Sequence, residues 1–188
     1  MHRRTLLPFA PAALVAVTAA LLAGGVATAE LPSRVPECEL QPLGDEPAAD
    51  LLRTRGEVMI VDFWASWCVS CAEALPFLDR LERELGDRGL RVVGINVDEE
   101  RADALAFIAR HPVGFALAAD PSGSCPRRFG VEAMPAAYLV DRAGRIRHVQ
   151  RGFRSGEASK LREQVLALLA EDREAAVVAE GAPDAEEP

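Results

Sequence analysis

The chain of 188 residues has room for one ordinary domain with extensions, and its 49% hydrophobic content is enough for a substantial core. Twenty-nine acidic residues against 21 basic ones give a formal net charge of −8, which disfavours nucleic acid or anionic lipid as a partner. Four cysteines remain to be explained, and four thiols allow three connectivities.

At the amino end, Arg3 and Arg4 form a positive n-region, Leu14 to Leu22 an apolar h-region, and Ala27-Thr28-Ala29 an A-x-A cleavage site. Residues 1–29 therefore read as an export signal. An uncleaved membrane anchor is the alternative, because the run from Leu6 to Ala29 approaches the roughly 20 residues of one span. Pro8, Pro11 and the Gly24-Gly25 pair weigh against it. Cys38 follows Val35-Pro36-Glu37 and lacks the small residues expected before a lipid-modified cysteine. Removing residues 1–29 takes two of the 21 basic residues and no acidic one, so the mature charge becomes 19 − 29 = −10. Export places the cysteines in an oxidising compartment, periplasmic or extracytoplasmic, where two pairs are expected.

Residues 30–46 carry Pro32, Pro36, Pro42 and Gly44 with little periodicity and are expected as an extended arm over the domain surface, bearing Cys38. The domain proper spans residues 47–170. Pro47 to Arg55 resembles a short helix closed by Gly56. Glu57 to Trp64 is a nearly continuous apolar run, the pattern of a strand covered on both faces, and its one interior charge is Asp62. Ala74, Leu75, Leu78, Leu81 and Leu85 recur at helical spacing after the cysteines, with Gly86 and Gly89 beyond them. Pro76 lies inside that pattern and predicts a kink.

Leu90 to Val97 reads as a second buried strand, and Glu99 to Arg110 as a helix with Leu105, Phe107 and Ile108 inward. Phe115 to Ala118 is a short apolar element, and Cys125 to Phe129 one helical turn. Ala136 to Val140 and Ile146 to Gln150 read as strands joined by an Asp141-Arg142-Ala143-Gly144 turn. Ser155 to Ala170 is an amphipathic helix capped by Ser155. Residues 171–188, rich in Ala, Glu and Pro, are expected as a disordered acidic tail.

A β-α-β unit followed by a hairpin and a closing helix predicts an α/β fold: a central mixed sheet with helices on both faces. The segment Val61-Asp62-Phe63-Trp64-Ala65-Ser66-Trp67-Cys68-Val69-Ser70-Cys71 resembles the thioredoxin active-site segment, and Val131 to Asp141 resembles that fold's cis-proline strand. With the export signal, the Pro76 spacing and the turn at Asp141, the chain resembles the secreted TlpA and ResA group of thioredoxin-like proteins over roughly residues 45–170. Two positions depart from the group. Ala136 follows Pro135 where many members place Thr, and Ala74 stands where ResA-like members carry an acidic residue.

Cys68, first of a CxxC that opens a helix, is the expected attacking thiol, because free N–H groups and the helix dipole favour its thiolate. Cys71, one turn on, is placed to resolve a mixed disulfide at Cys68. Asp62, on a strand expected to be buried, would have a raised pKa and so be suited to exchanging a proton near neutrality. The resemblance assigns it to Cys71. It also makes Met134-Pro135 a cis bond that offers backbone groups to substrate. Trp67 beside the nucleophile is a candidate partner contact, and Trp64 a packing residue.

Cys38 and Cys125 are expected as a structural disulfide pinning the arm, with exchange between Cys125 and the CxxC pair as the sharper alternative. No second CxxC or HxxxH is present, so neither a metal nor a cofactor is called for, and His111 and His148 stand alone. The resulting expectation is a monomeric thiol:disulfide oxidoreductase working as a reductant on cysteine-containing exported proteins, in cytochrome c maturation if the resemblance carries that far. It would be recharged by a membrane or soluble thiol donor. A thiol peroxidase of the same fold and a binding module or chaperone with a structural CxxC are the rival readings.

Overall fold

The computed structural model describes residues 32–44, 51, 56–154 and 156–180. The expected signal segment and all but one residue of the expected helix at Pro47 to Arg55 lie outside them. No helix among the described residues is long and apolar enough to cross a membrane.

The apolar runs become strands in the middle of a six-stranded sheet. Its elements are β1 (Gln41–Pro42), β2 (Val58–Trp64), β3 (Leu90–Asn96), β4 (Ala116–Ala119), β5 (Ala136–Val140) and β6 (Ile146–Arg151), in spatial order β1-β4-β3-β2-β5-β6. β2, β3 and β4 run parallel, whereas β5, β6 and β1 each pair antiparallel with a neighbour. Every residue of β2 is buried, as a strand covered on both faces requires. The helices are α1 (Cys71–Leu85), α2 (Arg101–Arg110), α3 (Ser124–Phe129) and α4 (Glu157–Glu180).

Strand alternation sends Val58, Ile60 and Trp64 to one face, where Leu75, Leu78 and Leu85 of α1, Phe107 of α2 and Leu161, Val165 and Leu168 of α4 cover them. Met59, Val61 and Phe63 face the other side, against Tyr138 and α3. There Phe63, Phe129 and Tyr138 form an edge-to-face trio with centroids 4.9 to 5.8 Å apart, worth about 0.5–1.5 kcal/mol per pair beyond area burial. Trp64 is fully buried beside Phe107, a packing role, and His111 stacks on the same ring.

α1 runs as one helix through Pro76. Pro76 has no N–H to give the carbonyl of Ala72, one turn earlier, so the first turn is bonded more loosely than the rest. The helix ends in a short 3-10 turn at Gly86–Arg88, closed by Gly89 at φ 96°. The Asp141 turn forms as expected, with Gly144 N–H donating to the Asp141 carbonyl at 2.8 Å.

Three expectations need correction. Leu105 is 41% exposed, and Ala104 and Phe107 are the inward residues, because α2 begins at Arg101 and Leu105 falls about 100° off the buried stripe. The arm does more than lie on the surface: Gln41–Pro42 adds an edge strand to β4, Leu43 enters the core, and Arg34 bridges Arg145. The closing helix continues to Glu180, beyond the expected end at Ala170. The Ala and Glu that suggested disorder are also strong helix formers, and no Gly or Pro interrupts them before Gly181.

Candidate active site

The polypeptide leaves β2 at Trp64 and must turn before α1 can start at Cys71. That turn is closed by Cys68 N–H donating to the Ala65 carbonyl at 3.1 Å and Cys71 N–H donating to the Cys68 carbonyl at 3.2 Å. Cys68 therefore lies one turn ahead of the helix, on the line of its positive end. The two cysteines are joined in a disulfide, and the remaining pair, Cys38 and Cys125, forms a second one across 87 residues of sequence.

The two cysteines of the CxxC differ in access. Cys71 is fully enclosed, and Cys68 keeps a sliver of surface at 5% exposure. On either side of Cys68, Trp67 and Val69 stand out at 67% and 88% exposure, an unusual position for large apolar side chains. Ser70 places its hydroxyl 3.9 Å from the Cys68 sulfur.

Asp62 is buried on β2, opposite Ala137 of β5 and Gly94 of β3. Its Oδ2 has no hydrogen-bond partner, and burial pushes the carboxyl well above the usual carboxylate range. Beside it is a cavity of about 10 Å³, roughly the space one water needs, shared with Ala74 of α1, Pro135, Gln150 and Gly152. Ala74 leaves room where a longer side chain would fill it. The buried acid on this side of the sheet thus comes from the strand.

The Met134-Pro135 bond is cis. Pro135 accepts a hydrogen bond from Gly152 N–H at 2.7 Å, which ties the loop to the end of β6, and Met134 packs onto both cores. α3 precedes this loop and carries Cys125, whose N–H donates to Asp120 Oδ2 at 2.6 Å. The Cys38–Cys125 bond thereby fastens the arm to α3, with Arg128 Nη1 donating to the Glu37 carbonyl at 3.3 Å alongside.

Cys68 and Cys71 thus share one core with Met134 packed against it, Asp62 and Pro135 line one cavity with Ala74 of α1, and Cys38 and Cys125 lie in the other core with Phe63 and Phe129. In this state Cys125 is bonded to Cys38 and does not meet the CxxC pair. Three polar residues went unread in the sequence: Asp98, Asn96 and Ser66, which hydrogen-bond together beside the Cys68 turn. The available signal was Asn96-Val97-Asp98 at the carboxyl end of a buried parallel strand, where functional groups of α/β sheets collect.

Comparison with known proteins agrees with this geometry. A thiol:disulfide interchange protein DsbE homologue of Paracoccus denitrificans is 38% identical over 104 residues, covering 55% of each chain. A thiol-disulfide oxidoreductase ResA of Bacillus thuringiensis is 24% identical over 92 residues, 49% of this chain and 53% of that one. The chain spans about half the length of these curated relatives. A Chlorobium tepidum crystal structure assigned as a DsbE-type interchange protein superposes with a TM-score of 0.70 at 34% identity, over 74% of this chain and 98% of that one. The sheet order and the cis-proline loop make the fold thioredoxin-like. The sequence model of the Redoxin family matches residues 31–165, well over half of the chain, and the protein belongs to that family.

Proposed function

We propose that the protein is an extracytoplasmic thiol:disulfide oxidoreductase that reduces disulfides of exported proteins through Cys68 and Cys71. The observation that carries this reading is the asymmetric disulfide ahead of α1. Its first cysteine keeps 5% of its surface and stands in sequence between exposed Trp67 and Val69, and its second is fully enclosed, as is Asp62 on β2. An inert staple needs neither the apolar rim nor the unpaired acid.

In the reduced protein the Cys68 thiolate attacks one sulfur of a client disulfide. A Cys68–client bond forms, the client S–S bond breaks, and the departing client sulfur leaves as a thiolate that takes a proton. Cys71 then gives its proton to the Asp62 carboxylate and attacks the Cys68 sulfur. The mixed disulfide breaks, Cys68–Cys71 closes, and the second client thiolate leaves. Two electrons have passed from the dithiol to the client, and an external thiol donor restores the dithiol by the same exchange in reverse. Asp62 suits its part because burial raises its pKa, which makes its carboxylate a stronger base than an exposed one.

Trp67 and Val69 supply apolar contact to the residues flanking the client cysteine, and the Pro135 loop offers backbone groups to an extended segment. The extracytoplasmic setting is supported by the export-type sequence of residues 1–29 and by two disulfides in one chain. The peroxidase alternative needs a peroxidatic cysteine in a Thr- and Pro-containing loop, and Trp67-Cys68-Val69-Ser70-Cys71 contains neither residue. Reduction of insulin disulfides by dithiothreitol tests the proposal. The protein accelerates it and the Cys68→Ser variant does not; acceleration retained by Cys68→Ser contradicts the reading.

A further inference from the structure

Asp98 lies two residues beyond the end of β3 and is 5% exposed. Its carboxylate accepts from Ser66 N–H at 2.9 Å on Oδ2 and 3.2 Å on Oδ1, from Ser66 Oγ–H at 3.0 Å, and from Asn96 Nδ2–H at 2.7 Å. Its own N–H donates to Asn96 Oδ1 at 3.0 Å, closing a ring between the two side chains. Asn96 is buried, so the ring is held in one geometry. Among the described residues every donor to Asp98 is neutral and no basic side chain pairs with it.

The position of the ring matters more than its composition. β2 and β3 pair as far as Trp64 and Asn96, and Val97 N–H still donates to the Trp64 carbonyl at 3.0 Å. Beyond that point the strands have no ladder left. Asp98 takes over, gripping Ser66 by both its backbone and its hydroxyl. Ser66 is the first of the two residues inside the Ala65-to-Cys68 turn, so fixing it constrains the path of the chain into the nucleophile.

We propose that Asp98 is a positioning residue for the thiol exchange: it locks the turn that bears Cys68 and, through its negative charge, holds the Cys68–Cys71 couple toward the reducing side. The inference rests on the oxidoreductase reading. Only Trp67 separates Ser66 from Cys68, so the carboxylate lies within about 10 Å of the sulfur, by the reach of the chain. A partly buried charge at that range is weakly screened. It disfavours the Cys68 thiolate, so it disfavours the dithiol form relative to the disulfide, and a less stable reduced form means a stronger reductant.

The test equilibrates the full protein with reduced and oxidised glutathione, where two glutathione thiols become one disulfide as Cys68–Cys71 becomes the dithiol. The reduced fraction is read by alkylation and mass, and the Cys68 thiolate by its ultraviolet absorbance against pH. Asp98→Asn and Asp98→Ala each raise the equilibrium constant for reduction by at least about threefold, or about 14 mV at 29.6 mV per decade. They also move Cys68 titration to lower pH. A merely structural Asp98 would lower the melting temperature and leave both readouts unchanged, which overturns the proposal.

Asn96→Asp combined with Asp98→Asn returns one carboxylate to the ring and moves the potential back toward wild type. A double variant that stays at the single-variant value also overturns the proposal, and this comparison stands even if Asp98→Ala fails to fold. No client enters the measurement. A wild-type couple that never exchanges with glutathione sinks the oxidoreductase reading itself, whereas an exchanging couple indifferent to Asp98 sinks only this inference.

Discussion

Replacing Asp62 by Asn removes a buried ionisable group while keeping its shape. The carboxyl is enclosed, its Oδ2 is unpartnered, and burial raises its pKa. A raised pKa in the folded state means that the protonated form fits the fold and the ionised form does not. Below the unfolded pKa, near 3.9, Asp62 is protonated in both states and costs nothing. As pH rises through the folded pKa the unfolded chain ionises more readily, so stability falls. Each unit of upward shift costs about 1.36 kcal/mol above that point, and each kcal/mol is worth about 2–4 °C in melting temperature for a chain of this size. Asp62→Asn therefore melts higher than wild type at pH 8, and the gap closes as pH falls toward 4. The cost appears in catalysis: with no base for Cys71, resolution of the mixed disulfide slows by about a hundredfold, the lower end of what a positioned base supplies. Thermal melts of the oxidised protein at both pH values and stopped-flow insulin reduction check the two halves. A melting shift that does not change with pH, together with an unchanged rate, refutes the reasoning.

Other outcomes follow from the same geometry. Cys71→Ser lets Cys68 attack but blocks resolution, so a client stays covalently attached, and mass spectrometry finds it on Cys68; attachment elsewhere contradicts the assigned order. Cys38→Ala with Cys125→Ala removes the arm's staple and costs about 2–5 kcal/mol in urea unfolding, while insulin reduction persists at temperatures where the variant is folded. Loss of activity in the folded variant would instead revive exchange between Cys125 and the CxxC pair. Phe129→Ala opens the aromatic trio on the far face of the sheet, costs about 3–5 kcal/mol, and leaves the potential of Cys68–Cys71 unchanged.

Much of this arrangement could be read from local pattern because the pattern is dictated by burial. The runs that became β2, β3 and β5 are nearly continuous in apolar residues, which is what two covered faces impose, and the structure begins and ends β5 at Ala136 and Val140 as the sequence reading did. CxxC and Met134-Pro135 were visible as motifs because their chemistry depends on spacing. What escaped depends on contacts made far along the chain. Gln41–Pro42 has no strand pattern of its own and becomes β1 only because β4 leaves an open edge. Leu105 was misplaced because helical phase depends on where α2 starts, and no strong cap marks Arg101. Asp98 meets Ser66 across 32 positions of sequence, a pairing created by the parallel β2–β3 register and absent from any local window. The continuation of α4 to Glu180 shows that a composition low in aromatics describes a poor core former and leaves helix formation open.

A redox titration of both disulfides in one sample separates a working couple at Cys68–Cys71 from a staple at Cys38–Cys125. Mass spectrometry of alkylated protein, taken from about −120 to below −300 mV, separates the two pairs. The account predicts that Cys68–Cys71 opens within that range, toward the thioredoxin end near −270 mV, while Cys38–Cys125 stays closed to below about −300 mV. A Cys68–Cys71 bond that resists reduction as firmly as Cys38–Cys125 would contradict it.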